Sequence, residues 1–156
     1  MSKSKTKIIT LDLIFSTAEL PPLISIDPGS VNSAIVSTCP PKAIQINNDT
    51  EGKTLINILK AIFNSRYEKI LIENFNFYAP RKYATQIPII IGKILMLAEF
   101  YNLNTELVNK PKKMLASPME YPHVQDAVNL LLKWLENKKI KIKLVDYYLT
   151  HHTDIF

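Results

Sequence analysis

A single cysteine, Cys39, occurs in the 156 residues, so no disulfide can close within the chain. That suits a reducing compartment. Long hydrophobic runs are also missing. None approaches the ~20 apolar residues needed to span a bilayer, and no membrane partner is expected. Lys3, Lys5 and Lys7 precede an apolar stretch, but Asp12 interrupts it and no small-residue cleavage site follows. No signal peptide is expected. There is no internal repeat, and the lysine-rich NKKIKIK is the longest low-complexity tract. Acidic charge is scarce. The chain has 14 Asp and Glu against 19 Lys and Arg, for a net charge of +5 and a pI near 9.2. Residues 1–80 hold 8 basic and 7 acidic side chains, and residues 81–156 hold 11 and 7, so the excess lies in the second half. A basic surface suggests a polyanionic partner, although charge alone does not name one.

What is present is globular: 47% hydrophobic and 21% charged, in a length that suits one domain with its own core. Residues 1–22 read as an N-terminal extension closed by Pro21-Pro22, in which KIITLDLIF forms either an extra strand or an arm. The domain proper is expected over 23–145, with a tail over 146–156. Strand candidates are Leu23–Asp27, Asn32–Thr38 and Lys42–Ile46, and their short connections suit antiparallel neighbours. EGKTLINILKAIFNS places Leu55, Ile58, Leu59 and Ile62 at helical spacing. EKILIE is a short apolar strand ending at Glu73. TQIPIIIGKILMLAEFYN predicts a second helix with Pro88 near its start. TELV is a strand, NKPKK a basic loop, and PHVQDAVNLLLKWLENKK a third helix opened by Pro122. The order is three strands, helix, strand, helix, strand, helix. It predicts an α/β fold on a mixed five-stranded sheet, antiparallel first and then parallel through right-handed crossovers.

Two of these strands end in an acid, LISID at Asp27 and ILIE at Glu73. If they are parallel neighbours, both carboxylates emerge at one sheet edge. The apolar stripe of the third helix, Ala127, Leu130, Leu131 and Trp134, continues one turn back to Asp126 and His123, which share a face. Burying unpaired carboxylates costs free energy, and crowding three together costs more. A divalent cation resolves both problems, and Mg²⁺ takes a few carboxylate oxygens while keeping several waters. Plainer readings stay open for each residue. Asp27 can simply start the Pro28-Gly29-Ser30 turn. Glu73 can be a strand-end surface charge, Asp126 can complement a helix N-terminus, and His123 can be a histidine without a ligand role.

SIDPGSVNSAIV, ILIENF and HVQDAVNLLL together resemble the RuvC-type Holliday junction resolvases of the ribonuclease H-like superfamily. The resemblance covers roughly residues 23–138, and the small virus- or phage-type members are nearest in flavour because of ENFNFYAPRKYATQIPIIIGKI. Where many relatives carry Asp-x-x-Asp in the last helix, this chain has His123-x-x-Asp126. The resemblance implies a ribonuclease H-like sheet with helices on both faces. It also implies a crossover junction endodeoxyribonuclease in which Asp27, Glu73 and Asp126 hold two Mg²⁺ or Mn²⁺ ions, with His123 as a ligand or as the group that positions water. The implied substrate is branched DNA, a four-way junction, cut to leave a 5′-phosphate. The implied setting is intracellular, in the cytoplasm of a prokaryote or the replication compartment of a virus-infected cell.

Other segments bear on substrate grip. NFNFYAPRKY interleaves Phe75, Phe77, Tyr78 and Tyr83 with Arg81 and Lys82, a pattern that can stack on unpaired bases and meet phosphates. Phe75 and Phe77 can equally be core residues beneath a loop. Lys110, Lys112 and Lys113 form a second basic loop, which is either a DNA contact or a plain solvated loop. The second helix is apolar almost all round. A homodimer would cover its extra faces, as would flanking helices of the same chain. His151, His152 and Asp154 belong to a tail read as a flexible end. Rival functions are a related nuclease acting on RNA, flaps or other branched DNA, and a non-catalytic DNA-binding module. Asp-x-Gly before a hairpin also resembles the first phosphate loop of actin-like kinases, but 156 residues leave no room for their two lobes.

Overall fold

The computed structural model describes residues 5–75 and 86–150. It contains seven strands, β1 (Lys7–Phe15), β2 (Leu23–Asp27), β3 (Ser33–Thr38), β4 (Pro41–Asn47), β5 (Lys69–Glu73), β6 (Thr105–Val108) and β7 (Leu144–Leu149). Its α-helices are α1 (Lys53–Ile62), α2 (Gln86–Phe100) and α3 (Pro122–Asn137). The strands form one sheet in the order β6-β5-β2-β3-β4-β1-β7. β2 pairs parallel with β5, and β5 with β6, while β2-β3, β3-β4, β4-β1 and β1-β7 are antiparallel.

The five expected strands are therefore present as a mixed sheet, and two more extend it. KIITLDLIF is a strand, held between β4 and β7, because Leu11, Leu13 and Phe15 bury on the same face as the strands beside them. Residues 146–149, read from sequence as part of a tail, are the last four of the six residues of β7. Their apolar periodicity is weak because β7 is an edge strand, with Val145, Tyr148 and Leu149 all exposed. His151, His152 and Asp154 lie outside the described residues.

Strand parity divides the core into two layers. Ile24, Ile26, Ile35, Ile44, Ile46, Ile70 and Ile72 point to one face, where α1 contributes Leu55, Ile58, Leu59 and Ile62 and α2 contributes Ile90, Ile91, Ile94 and Ala98. Alternate positions, including Leu23, Ala34, Val36, Ala43 and Leu71, point to the other face and meet α3 through Ala127, Val128, Leu131 and Leu135. Each fully buried Ile or Leu contributes about 1.5–3 kcal/mol relative to its exposed state. Small residues on both sides, Ala34 and Ala43 below and Ala127 above, leave room for α3 to lie close over the sheet. There Ser25 on β2 donates its hydroxyl to the Ala127 carbonyl at 2.8 Å.

α1 begins where Asp49 accepts hydrogen bonds from the Thr54 and Leu55 N–H groups at 2.8 and 3.0 Å, which satisfies two donors of its first turn. α2 buries one face within the chain and leaves Ile89, Met96 and Phe100 exposed on the other, at 57%, 74% and 79%. Cover within the chain thus leaves these three apolar side chains of α2 exposed. Among the described residues, no helix is long and apolar enough to cross a membrane.

Candidate metal centre

Asp27 and Glu73 end adjacent parallel strands. Register pairs Ser25 with Leu71, so both acids stand at the same edge and point to the α3 face. The turn behind Asp27 is tight, because a Cβ on Gly29 would collide with the Asn32 carbonyl oxygen. Ser33 Oγ accepts the Gly29 N–H at 2.9 Å and fastens the turn to β3. Asp27 is thus both the first residue of a turn and a buried acid, 7% exposed, on a rigid strand.

α3 brings the other two residues. Pro122 occupies its first turn, where a missing N–H costs nothing. His123 Nδ1 lies 3.3 Å from Asp27 Oδ2. Ligand atoms of Asp27, His123 and Asp126 all fall within 4.8 Å of one another. Glu73 lines the same cleft from the strand beside Asp27. Lys110 Nζ stands 3.9 Å from Asp126 Oδ1 on the cleft rim. The cleft has a volume of about 420 Å³ and is lined by all four predicted residues with Gly29, Asn32, Asn74, Phe75, Ile87 and Lys110. A larger hollow of about 580 Å³, between the end of α3 and residues 140–143, holds no cluster of acids.

The electrostatics are those of crowded acids. Burial, the hydrogen bond and charge of Asp27, and the charge of Asp126 push Glu73 up to about 9, opposed by Lys110. Glu73 therefore keeps its proton at neutral pH. Burial and then Asp27 raise Asp126, with Lys110 and His123 opposing. The hydrogen bond to Asp27 raises His123 above an ordinary histidine, against the effect of burial. Burial is the largest cause for Glu73 and Asp126, and the charge of Asp27 raises all three groups, so negative charge gathers at one point. A divalent cation fits that point, since hard oxygen donors with one imidazole suit Mg²⁺ or Mn²⁺.

The remaining predicted residues divide. Phe75 lines the cleft and also packs against the α1/α2 layer. Lys110 reaches the cleft. Lys112 lines a neighbouring hollow of about 180 Å³ with Lys110 and Asp126. Lys113 is exposed. Phe77, Arg81 and Lys82, with Tyr78 and Tyr83, lie outside the described residues.

Sequence reasoning passed over four buried polar residues. Asn129 Oδ1 accepts the Leu115 and Ala116 N–H groups at 3.1 and 2.8 Å, and Gln125 Oε1 accepts the Met119 N–H at 2.7 Å. These bonds pin the segment that follows the basic loop onto α3. Gln45 Oε1 accepts the His123 N–H at 3.1 Å, and Ser25 is bound to α3 as described. The available signal was a polar residue inside an otherwise apolar pattern, as in LISID, AIQIN and VQDAVNLLL.

No protein-family model matches the chain, and no curated protein matches it. Solved structures do. Thermus thermophilus RuvC superposes with a TM-score of 0.57 at 14% identity, covering 76% of this chain and 96% of RuvC. T. thermophilus RuvC in complex with Holliday junction substrate gives 0.54 at 16% identity, with 75% and 95% covered. The fowlpox virus Holliday junction resolvase gives 0.48 at 15% identity, with 74% and 99% covered. The parallel core, the antiparallel strands beside it and the helices on both faces are accounted for together in one conclusion: this chain has the RuvC-type, ribonuclease H-like fold.

Proposed function

We propose that the protein is a metal-dependent endonuclease that cuts phosphodiesters in branched DNA, with the four-way junction as its substrate. The observation that carries this reading is the meeting of Asp27, Glu73, His123 and Asp126 from three elements in one cleft of a RuvC-type fold. In that reading these four residues hold divalent cations, Mg²⁺ or Mn²⁺, two per site. When bound, the ions supply water activation and neutralise charge on the leaving oxygen.

The chain's own residues do the rest. Glu73, protonated in the metal-free protein, would give up that proton on holding a cation. His123 is held against Asp27 and presents its ring as a ligand or as the group that orients the attacking water. Lys110, Lys112 and Lys113 meet phosphates on one side of the cleft. Phe75 offers an aromatic face, and Phe77, Arg81 and Lys82 are assigned to DNA contact by residue type alone. The exposed Ile89, Met96 and Phe100 of α2 are assigned to a homodimer, which would give a four-way junction two active sites. The protein would then work wherever branched DNA arises, in a prokaryotic cytoplasm or a viral replication compartment.

The test is cleavage of a labelled synthetic four-way junction with Mg²⁺ or Mn²⁺, beside duplex, flap and RNA controls. Metal-dependent paired nicks in the junction are expected. Preferential cleavage of flaps or RNA would move the substrate assignment, and no cleavage of any arm would leave only binding.

A further inference from the structure

Asp27, Ala34 and Gln45 form one row across three strands: Asp27 pairs with Ala34, and Ala34 pairs with Gln45. Parity turns all three toward α3. Asp27 and Gln45 are 7% and 6% exposed, and Ala34 is fully buried between them. His123 spans this row. Its ring reaches Asp27 at one end, and its main-chain N–H reaches Gln45 Oε1 at the other, with the small Ala34 below.

Among the described residues, no other side chain caps the N-terminus of α3. Tyr121, at the cap position, makes no capping bond, and Pro122 has no N–H. His123 therefore carries the first N–H of the helix, and a side chain from the sheet receives it. The orientation of the Gln45 amide is fixed by chemistry, because a main-chain N–H bonds to oxygen. Its Nε2 accordingly donates to Asn47 Oδ1 at 3.3 Å.

We infer that Gln45 is a positioning residue that caps α3 from across the sheet and so sets His123 against Asp27. This rests on the metal-centre reading above. A partner that orients a metal ligand typically governs 10–100-fold in metal affinity when removed. The bond to Gln45 acts on the backbone of the ligand residue, which leaves both ring nitrogens free for Asp27 and the cation.

The experiment is Mn²⁺ binding to the full-length protein, followed by electron paramagnetic resonance of free Mn²⁺, with thermal melting as a control for folding. Gln45→Leu removes the acceptor and is expected to weaken Mn²⁺ by about tenfold or more. Gln45→Glu keeps an acceptor oxygen at the same reach and is expected to restore binding to within about threefold, since an anion at a helix N-terminus is favourable. Should Gln45→Leu fail to fold, Gln45→Asn withdraws the acceptor by one methylene and is expected to show the same loss. In a His123→Ala background, Gln45→Leu should add no further loss. Equal affinity in wild type and Gln45→Leu would overturn the inference while leaving the metal centre standing. So would an undiminished effect without His123, since Gln45 would then act elsewhere. Absence of Mn²⁺ binding to the wild type would overturn the metal-centre reading and this inference with it.

Discussion

The two faces of the sheet are made from the same strands, yet they serve different ends. Toward α1 and α2, β2–β5 present seven isoleucines, with the buried Ser33 and Ser37 of β3 among them, and the helices answer with leucine and isoleucine. Toward α3, alternate positions of those strands hold Ser25, Asp27, Ala34, Gln45 and Glu73, and α3 itself buries Gln125 and Asn129 among its leucines. Apolar burial stabilises roughly in proportion to area, whereas crowded carboxyls oppose folding unless a proton or cation joins them. One face thus supplies stability that the other partly spends on holding acids in a cleft. The two should therefore respond oppositely to substitution.

The largest effect is expected on the acidic face. Asp27→Asn, Glu73→Gln and Asp126→Asn should each lower metal-dependent cleavage by about a thousandfold or more, given several kcal/mol of charge stabilisation from a metal centre. Junction binding should persist, because removing negative charge assists approach to phosphates. His123→Asp should keep activity and move metal preference from Mn²⁺ toward Mg²⁺, since a carboxylate oxygen is the harder ligand. Gel assays of cleavage and of binding on the same variants decide this, and wild-type rates in all three carboxamide variants would remove the site.

The next effect is on the apolar face. Ile26 neighbours Asp27 in sequence but points the other way and is fully buried. Ile26→Ala should destabilise the fold by about 2–5 kcal/mol through lost burial and a cavity. Urea denaturation of Ile26→Ala beside Asp27→Asn measures the contrast directly. A similar loss in both variants would erase the distinction between the faces.

A smaller effect is expected from pH on the metal-free protein. Glu73 keeps its proton in the folded state up to about 9, whereas an unfolded glutamate loses it near 4.5. The folded state therefore binds more protons across that window, and this contribution to stability declines as pH rises through it. His123 and Asp126 are also shifted upward, so they act with the same sign, each above its own ordinary value. Melting temperatures in a chelator should fall from pH 5 toward pH 9, and Glu73→Gln should flatten the curve. Added Mg²⁺ or Mn²⁺ should raise the melting temperature more at pH 8 than at pH 5. A metal effect that grows toward acid pH would contradict a Glu73 that stays protonated in the metal-free protein.

The smallest effect on stability is expected at the outer face of α2. Met96→Glu with Phe100→Glu should change folding free energy by no more than about 0.5 kcal/mol, as exposed substitutions do. The same pair should convert a dimer to monomers in sedimentation at micromolar concentration. Ile91→Glu, on the buried side of the same helix, should instead unfold the protein. A wild type that sediments as a monomer, with and without DNA, would assign the exposed stripe to something other than self-association.

Much of the architecture was legible because it is written in local periods. Leu55, Ile58, Leu59 and Ile62 mark one helix face, and the same four residues are buried. LISID and KILIE each show a strand with an acid at its tip, and the His123-x-x-Asp126 spacing puts two donors on one helical turn. β7 was hard to read because an edge strand with exposed Val145, Tyr148 and Leu149 has no clean alternation. Gln45 was passed over because a single polar residue in AIQIN has no local meaning until its partner is known.

The sequence by itself determined which side chains alternate along each strand, which acids end the strands, and where helices begin. These depend on residues a few positions apart. Only the tertiary structure decided that β2 and β5 lie side by side, so that Asp27 and Glu73 crowd one sheet edge. It also decided that Asp27, Ala34 and Gln45 fall in one row beneath His123, and which apolar side chains of α2 stay exposed. The reason is physical. Strand order and register join segments tens of residues apart through backbone hydrogen bonds common to every residue type, so the local pattern carries the parity of a strand but not its neighbour.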